Sequence, residues 1–165
     1  MLSFNRRAFL FGSAGFAGLS ACGFTPAYGP NGAANGLLGT ILVDEPTDRD
    51  AFLLVQQLET RLGRASIARF AMSTKLKITQ EQVAISANNI TQRFNLIGRV
   101  DFALRDATTD AEITKGTVDS FTGYSATGTT AATQAAKRDA QERLMIILAD
   151  EIVTRLIATA PTLNL

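Results

Sequence analysis

The sequence predicts an α+β fold: a two-layer sandwich with two helices packed on one face of a mixed four-stranded β-sheet, in the order β-α-β-β-β-α. Three observations carry this. Beyond residue 36, apolar residues recur at helical spacing in one early stretch and one C-terminal stretch. Between them the period changes to two, as in half-buried strands. A chain that segregates strands and helices in this way buries both most economically with the helices on one side of the sheet.

The N-terminal segment is read separately from the domain. Asn5-Arg6-Arg7-Ala8-Phe9-Leu10-Phe11 pairs two arginines ahead of a short apolar run that is interrupted by Gly12, Ser13 and Gly15. Residues 1–21 read as an export signal, with twin-arginine and general secretory routes both open. Leu19-Ser20-Ala21-Cys22 fits a bacterial lipobox, in which small residues let an extended chain enter a signal peptidase. Cys22 is the only cysteine, so it has no disulfide partner. The expectation is a diacylglyceryl group on its sulfur and an acyl chain on its freed amine, since stable anchoring takes more than one chain. Gly23 rather than an acid follows, which permits sorting to the outer membrane. Residues 22–36, rich in turn formers, read as a lipid-anchored tether.

The domain is placed at 37–160, with 161–165 as a tail. Leu37 to Val43 is short and apolar and reads as a buried strand that ends at Pro46. Thr47 is a candidate helix cap, with Asp50 reaching back to it. Ala51, Leu54, Val55, Leu58 and Leu62 then form one helix face, and Gly63 closes the helix. From Ala71, Met72, Thr74, Leu76 and Ile78 alternate with polar residues. Gln80 to Asn89 is polar and fits either a continued strand or a loop. Ile90 to Asp106 is a strand with Phe94, Leu96, Val100, Phe102 and Leu104 on one face, and Ile113 to Tyr124 is its antiparallel return. A long helix follows from about Ala131 to Thr159. Leu144, Met145, Leu148, Ala149, Ile152 and Leu156 form its stripe, and Asp139–Arg143 and Glu151–Arg155 are spaced as ion pairs. Ile146, Ile147 and Ile157 lie off that stripe and either extend the core or meet another protein.

Composition narrows the function. The chain has no histidine, which removes the commonest general base and metal ligand and rules out a conventional catalytic triad. From Cys22 onward there are 14 basic and 15 acidic residues, a balance that does not suit nucleic acid. No uninterrupted apolar run approaches the roughly 18 residues of a membrane span. No phosphate-binding glycine loop is present. Asp44, Glu45, Asp48 and Asp50 cluster at a helix N-terminus, where acids stabilise the helix dipole, so no metal is assigned to them. Ser73 and Lys75 are two apart on a strand, but nothing else supports a nucleophile there. The protein is therefore read as a non-enzyme with no catalytic residues and no cofactor.

One charged pattern remains. Lys75 and Lys77 share a face of one strand, and Arg93, Arg99 and Arg105 share a face of another. If these strands pair, the solvent side carries a basic stripe tempered by Asp101. It suits anionic headgroups or phosphates, or it is simply a solvated face on which charge deters edge pairing.

Cys22-Gly23-Phe24-Thr25-Pro26-Ala27-Tyr28-Gly29 resembles the mature N-terminus of the LptE family of lipopolysaccharide-assembly lipoproteins. Ala27 stands where one branch of that family has Leu. Arg138-Asp139-Ala140-Gln141-Glu142-Arg143, opening a C-terminal helix after a sheet, is similar to the same branch. The resemblance implies two helices on a four-stranded sheet. It also implies a lipid-anchored protein on the periplasmic side of the outer membrane that binds and plugs the LptD β-barrel and helps deliver lipopolysaccharide to the outer leaflet. The competing expectation is an auxiliary lipoprotein of an ABC-type envelope lipid transporter.

Overall fold

The computed structural model describes residues 26–29, 32–85 and 91–162. Cys22 and residues 1–21, the stretch read as an export signal, lie outside the described residues. Strand β1 is Ile41–Val43, helix α1 Arg49–Leu62, β2 Phe70–Ile85, β3 Thr91–Asp106, β4 Glu112–Ser125 and helix α2 Thr130–Thr159. The sheet order is β1-β2-β3-β4; β1 runs parallel to β2, and the other pairs are antiparallel. This is the α+β sandwich that the residue pattern predicts.

The pattern of two places the core. Met72, Leu104 and Thr114 stand opposite one another, as do Leu76, Val100 and Val118, all on one face. Leu96, Val100, Leu104 and Val118 are buried there against Leu144, Met145, Leu148, Ile152 and Leu156 of α2. Each fully buried Leu or Ile contributes about 1.5–3 kcal/mol. All six residues of the stripe named for α2 are buried. Gly98 lets the helix come close: a Cβ there would sit 2.8 Å from Leu148 Cδ1 and 3.1 Å from Leu144 Cδ2. Thr122, also buried, donates its hydroxyl to the Ala140 carbonyl at 2.9 Å and fixes that part of the helix, well inside its N-terminus, on β4.

Helix α1 lies beside α2 and runs in the same direction. Gln141 donates to Asp50 at 3.2 Å near one end, and Arg61 pairs with Asp150 near the other. Asp150 holds the Arg61 guanidinium above its ordinary pKa through that hydrogen bond. The apolar face of α1 is the predicted one, with Ala51, Leu54, Val55, Leu58 and Leu62 buried.

Several local readings change. Asp48, not Thr47, caps α1, with its carboxylate accepting from the Ala51 N–H at 2.8 Å. Asp50 turns to Gln141 rather than back to the cap. Gly63 does close the helix, at φ 78. The polar stretch after Ile78 continues β2 as far as Ile85, with a register irregularity between Gln82 and Ala84. Inside the stretch read as tether, Ala33–Gly36 forms a 3-10 turn and Ala34 is buried, as is Leu37 at the start of the domain. On α2, Arg143 pairs with Asp139 at 3.0 Å, whereas Glu151 and Arg155 form no ion pair. Ile157 packs on the core, while Ile146 is exposed.

Candidate functional site

With both helices on one face, the other face of the sheet is open. The side chains on it follow from register. Ser73, Ala103 and Lys115 form one row, followed by Lys75, Asp101 and Thr117, then Lys77, Arg99 and Asp119, then Thr79, Ile97 and Phe121. Lys75, Lys77, Arg93, Arg99 and Arg105 therefore do share this face, as the strand pairing requires.

The five cations are not equivalent. Arg105 is engaged: it donates to Asp44 and to Asp110, both at 2.9 Å, and ties β1 and the β3–β4 turn together. Its Nε is buried without a partner among the described residues. Arg93 lies far along the ribbon, its guanidinium over Gly123. Arg99 reaches Asp101 only at 3.8 Å, with both side chains more than half exposed. Lys77 stands directly opposite Arg99. Like charges facing each other across a strand pair are destabilising, by roughly 0.2–1 kcal/mol. Asp101 accepts from the Thr117 hydroxyl at 2.6 Å, which occupies part of the carboxylate opposite Lys75.

Sequence reading missed Lys115. It is on the same face as Thr117 and Asp119, and its period-two spacing from Asp119 was the available signal. Glu112 holds its ammonium above the ordinary pKa through a 2.9 Å hydrogen bond. Lys75 and Lys115 flank a shallow depression of about 730 Å³ floored by Ser73, Ala103 and Thr117, where small side chains leave the sheet concave. Ser73 and Lys75, considered as a dyad, only line this depression. Next to the Lys77–Arg99 row, Ile97 and Phe121 form an apolar row, and Phe121 is 64% exposed. A cationic row beside an apolar row is complementary to an anionic amphiphile.

Among the described residues no group of three or more Asp, Glu, Cys or His is placed to hold a metal, and no helix is long and apolar enough to cross a membrane. Asp44, Asp48 and Asp50 serve Arg105, the α1 cap and Gln141 respectively.

The fold is a small α+β sandwich with one sheet face left open. Solved structures of lipoproteins share this fold. A protein from Caulobacter crescentus CB15 described as a lipoprotein is 28% identical, with a TM-score of 0.65, over 78% of this chain and 96% of that one. Rare lipoprotein B from Shewanella oneidensis is 14% identical, with a TM-score of 0.58, over 76% and 98%. Lipoprotein B from Nitrosomonas europaea is 14% identical, also at 0.58, over 75% and 85%. No curated protein sequence matches significantly. The model of the LptE lipopolysaccharide-assembly family matches residues 38–156, and the chain belongs to that family.

Proposed function

We propose that this protein is an outer-membrane lipoprotein, anchored on the periplasmic side by acyl chains on Cys22, that binds and plugs an LptD-type β-barrel. In that position it assists the passage of lipopolysaccharide into the outer leaflet. It acts by binding and placement, with no catalytic residue and no cofactor beyond the covalent lipid. The observation that carries the reading is the family match over residues 38–156, which spans all four strands and both helices except the last turn. The open face adds chemical support. Lys77 and Arg99, and beside them Lys75, offer cations to the phosphates of lipopolysaccharide. Ile97 and Phe121 offer an apolar neighbour to its acyl chains.

The test is affinity isolation of the full protein, with its Cys22 anchor intact, after mild detergent extraction. A barrel protein of the LptD type is expected to come with it. Isolation as a clean monomer, together with normal surface lipopolysaccharide after depletion, would overturn the reading. The anchor is tested separately by Cys22→Ser. Membrane fractionation is expected to be lost, and unchanged fractionation would contradict acylation.

A further inference from the structure

Both edges of the sheet are open, and they differ. In the β3–β4 ladder the Ala126 N–H donates to the Gln92 carbonyl at 2.9 Å, which fixes the parity of the pairing. The even-numbered residues of β4 turn toward β3. Lys115, Thr117, Asp119, Phe121 and Gly123 direct their backbone groups outward. The Gly123 carbonyl accepts from the Arg143 guanidinium at 3.4 Å. Among the described residues, nothing pairs with the outward backbone groups between Lys115 and Phe121.

A pocket of about 270 Å³ adjoins this edge, between β4 and the last turns of α2. Phe102 and Leu156 line it, and Lys115 and Arg155 stand at its rim. Gly116 is the reason for the gap. It is on the core side of an edge strand without a side chain, and only the edge of the Phe102 ring comes near, 2.8 Å from where a Cβ would be. Among the described residues Arg155 forms no ion pair, and Glu151, one turn before it, does not reach it.

We propose that the β4 edge receives an extended peptide segment of a partner protein as a fifth strand. An apolar side chain opposite Gly116 enters the pocket beside the Arg155 stem, and an acidic side chain opposite Lys115, on the open face, shares its ammonium with Glu112. Main-chain hydrogen bonds supply the adhesion in such strand addition, and the alternate side chains supply the selectivity. The β2 edge is a poor alternative. Its open stretch carries Lys75 and Lys77 in successive outward-face positions, and Asp48 and Asp50 line the cleft beside it. Clustered charge of this kind repels an incoming strand. The proposal does not depend on which envelope protein carries the segment, and so it stands apart from the barrel reading.

The probe is the peptide acetyl-Lys-Val-Thr-Leu-Glu-amide, titrated into the 15N-labelled full chain in detergent micelles. Paired antiparallel, it places Leu opposite Gly116, Glu opposite Lys115 and Lys opposite Asp119. Saturable amide shifts are expected at Lys115, Thr117 and Asp119. Replacing the peptide's Glu by Lys is expected to weaken binding roughly threefold to tenfold. Thr117→Pro removes only an outward N–H from the backbone and is expected to abolish the shifts. Ala158→Trp fills the pocket from the helix side and is expected to do the same without touching the strand. Gln80→Pro, the matching change on the β2 edge, is expected to leave them intact. Absence of saturable shifts, shifts confined to β2, or retention of binding in Ala158→Trp would each overturn the proposal.

Discussion

Two single residues set limits on this fold. Gly98 occupies a place where α2 presses on β3, and the Leu144 and Leu148 side chains that fill it are both fully buried. Neither has room to retreat, so Gly98→Val should overpack the core and cost about 1–3 kcal/mol. Chemical denaturation should show a lower midpoint with an unchanged slope. Asp106 does different work. Its carboxylate accepts from the Thr108 and Thr109 N–H groups at 2.9 and 2.8 Å and from the Thr109 hydroxyl at 3.1 Å, holding the β3–β4 turn. The Thr109 and Thr108 amides keep its pKa below the ordinary value. A depressed carboxylate stabilises the folded state above the unfolded pKa and loses that contribution as pH falls through the folded one. The gap in melting temperature between the parent and Asp106→Asn should therefore narrow as pH drops from about 5 to about 3. A gap that stays constant across that range would count against the turn carboxylate. The sequence announced Asp106 as a turn residue from its Asp-Ala-Thr-Thr-Asp setting. Gly98 was visible only as a gap in an apolar face, because nothing in a single strand reveals which helix will lean on it.

Among the elements, those with a one-sided apolar pattern were readable and those without it were not. The buried stripe on α1 and the six-residue stripe on α2 appear where the spacing put them, because burial of one face decides a helix. The far half of β2 did not declare itself. Residues 79–83 are exposed on both faces, so their strand identity rests on backbone pairing with β3 and leaves no period in the side chains. The cap of α1 was misplaced by one residue for a related reason: Thr47 and Asp48 are both good caps, and only the turn out of Pro46 selects between them. Asp48→Ala should accordingly cost about 1 kcal/mol, whereas Thr47→Ala should cost little, and thermal melts of the two variants separate them. Among the described residues, attachment of α2 to the sheet has one buried polar anchor, the Thr122 hydroxyl on the Ala140 carbonyl. Thr122→Val keeps the shape and removes the bond, so about 1 kcal/mol should be lost. Amide exchange should quicken most in α2 around Ala140, where that anchor acts.

For the whole molecule, one face of the sheet is spent on the core and the other is left open, and on the open face two cations oppose each other across a strand pair. The basic face of each strand was legible from alternation, the pairing of the two strands was not, and Lys75, Lys77, Arg93 and Arg99 do share the open face. What alternation could not give is which cations are spoken for. Arg105 is held by Asp44, which is far away in sequence, and by Asp110 across the β3–β4 turn. Lys77 and Arg99 face each other, Asp119 stands opposite Arg99 on β4, and among the described residues the one ion pair of Arg99 is to Asp101 at 3.8 Å. A fold optimised for stability alone would not keep two cations opposed, whereas a surface for phosphates gains from them. Lys77→Glu converts the opposition into an attraction. It should stabilise the isolated domain by about 0.2–1 kcal/mol, read as a higher denaturation midpoint. The same change should weaken binding of purified lipopolysaccharide several-fold, an effect that shrinks with added salt because the lost contact is electrostatic. Lys77→Gln should fall between the two in both measurements. Gain of stability with unaltered lipopolysaccharide binding would mean that the pair is only a solvated feature of the sheet, and the cationic row would then have to be withdrawn from the functional surface.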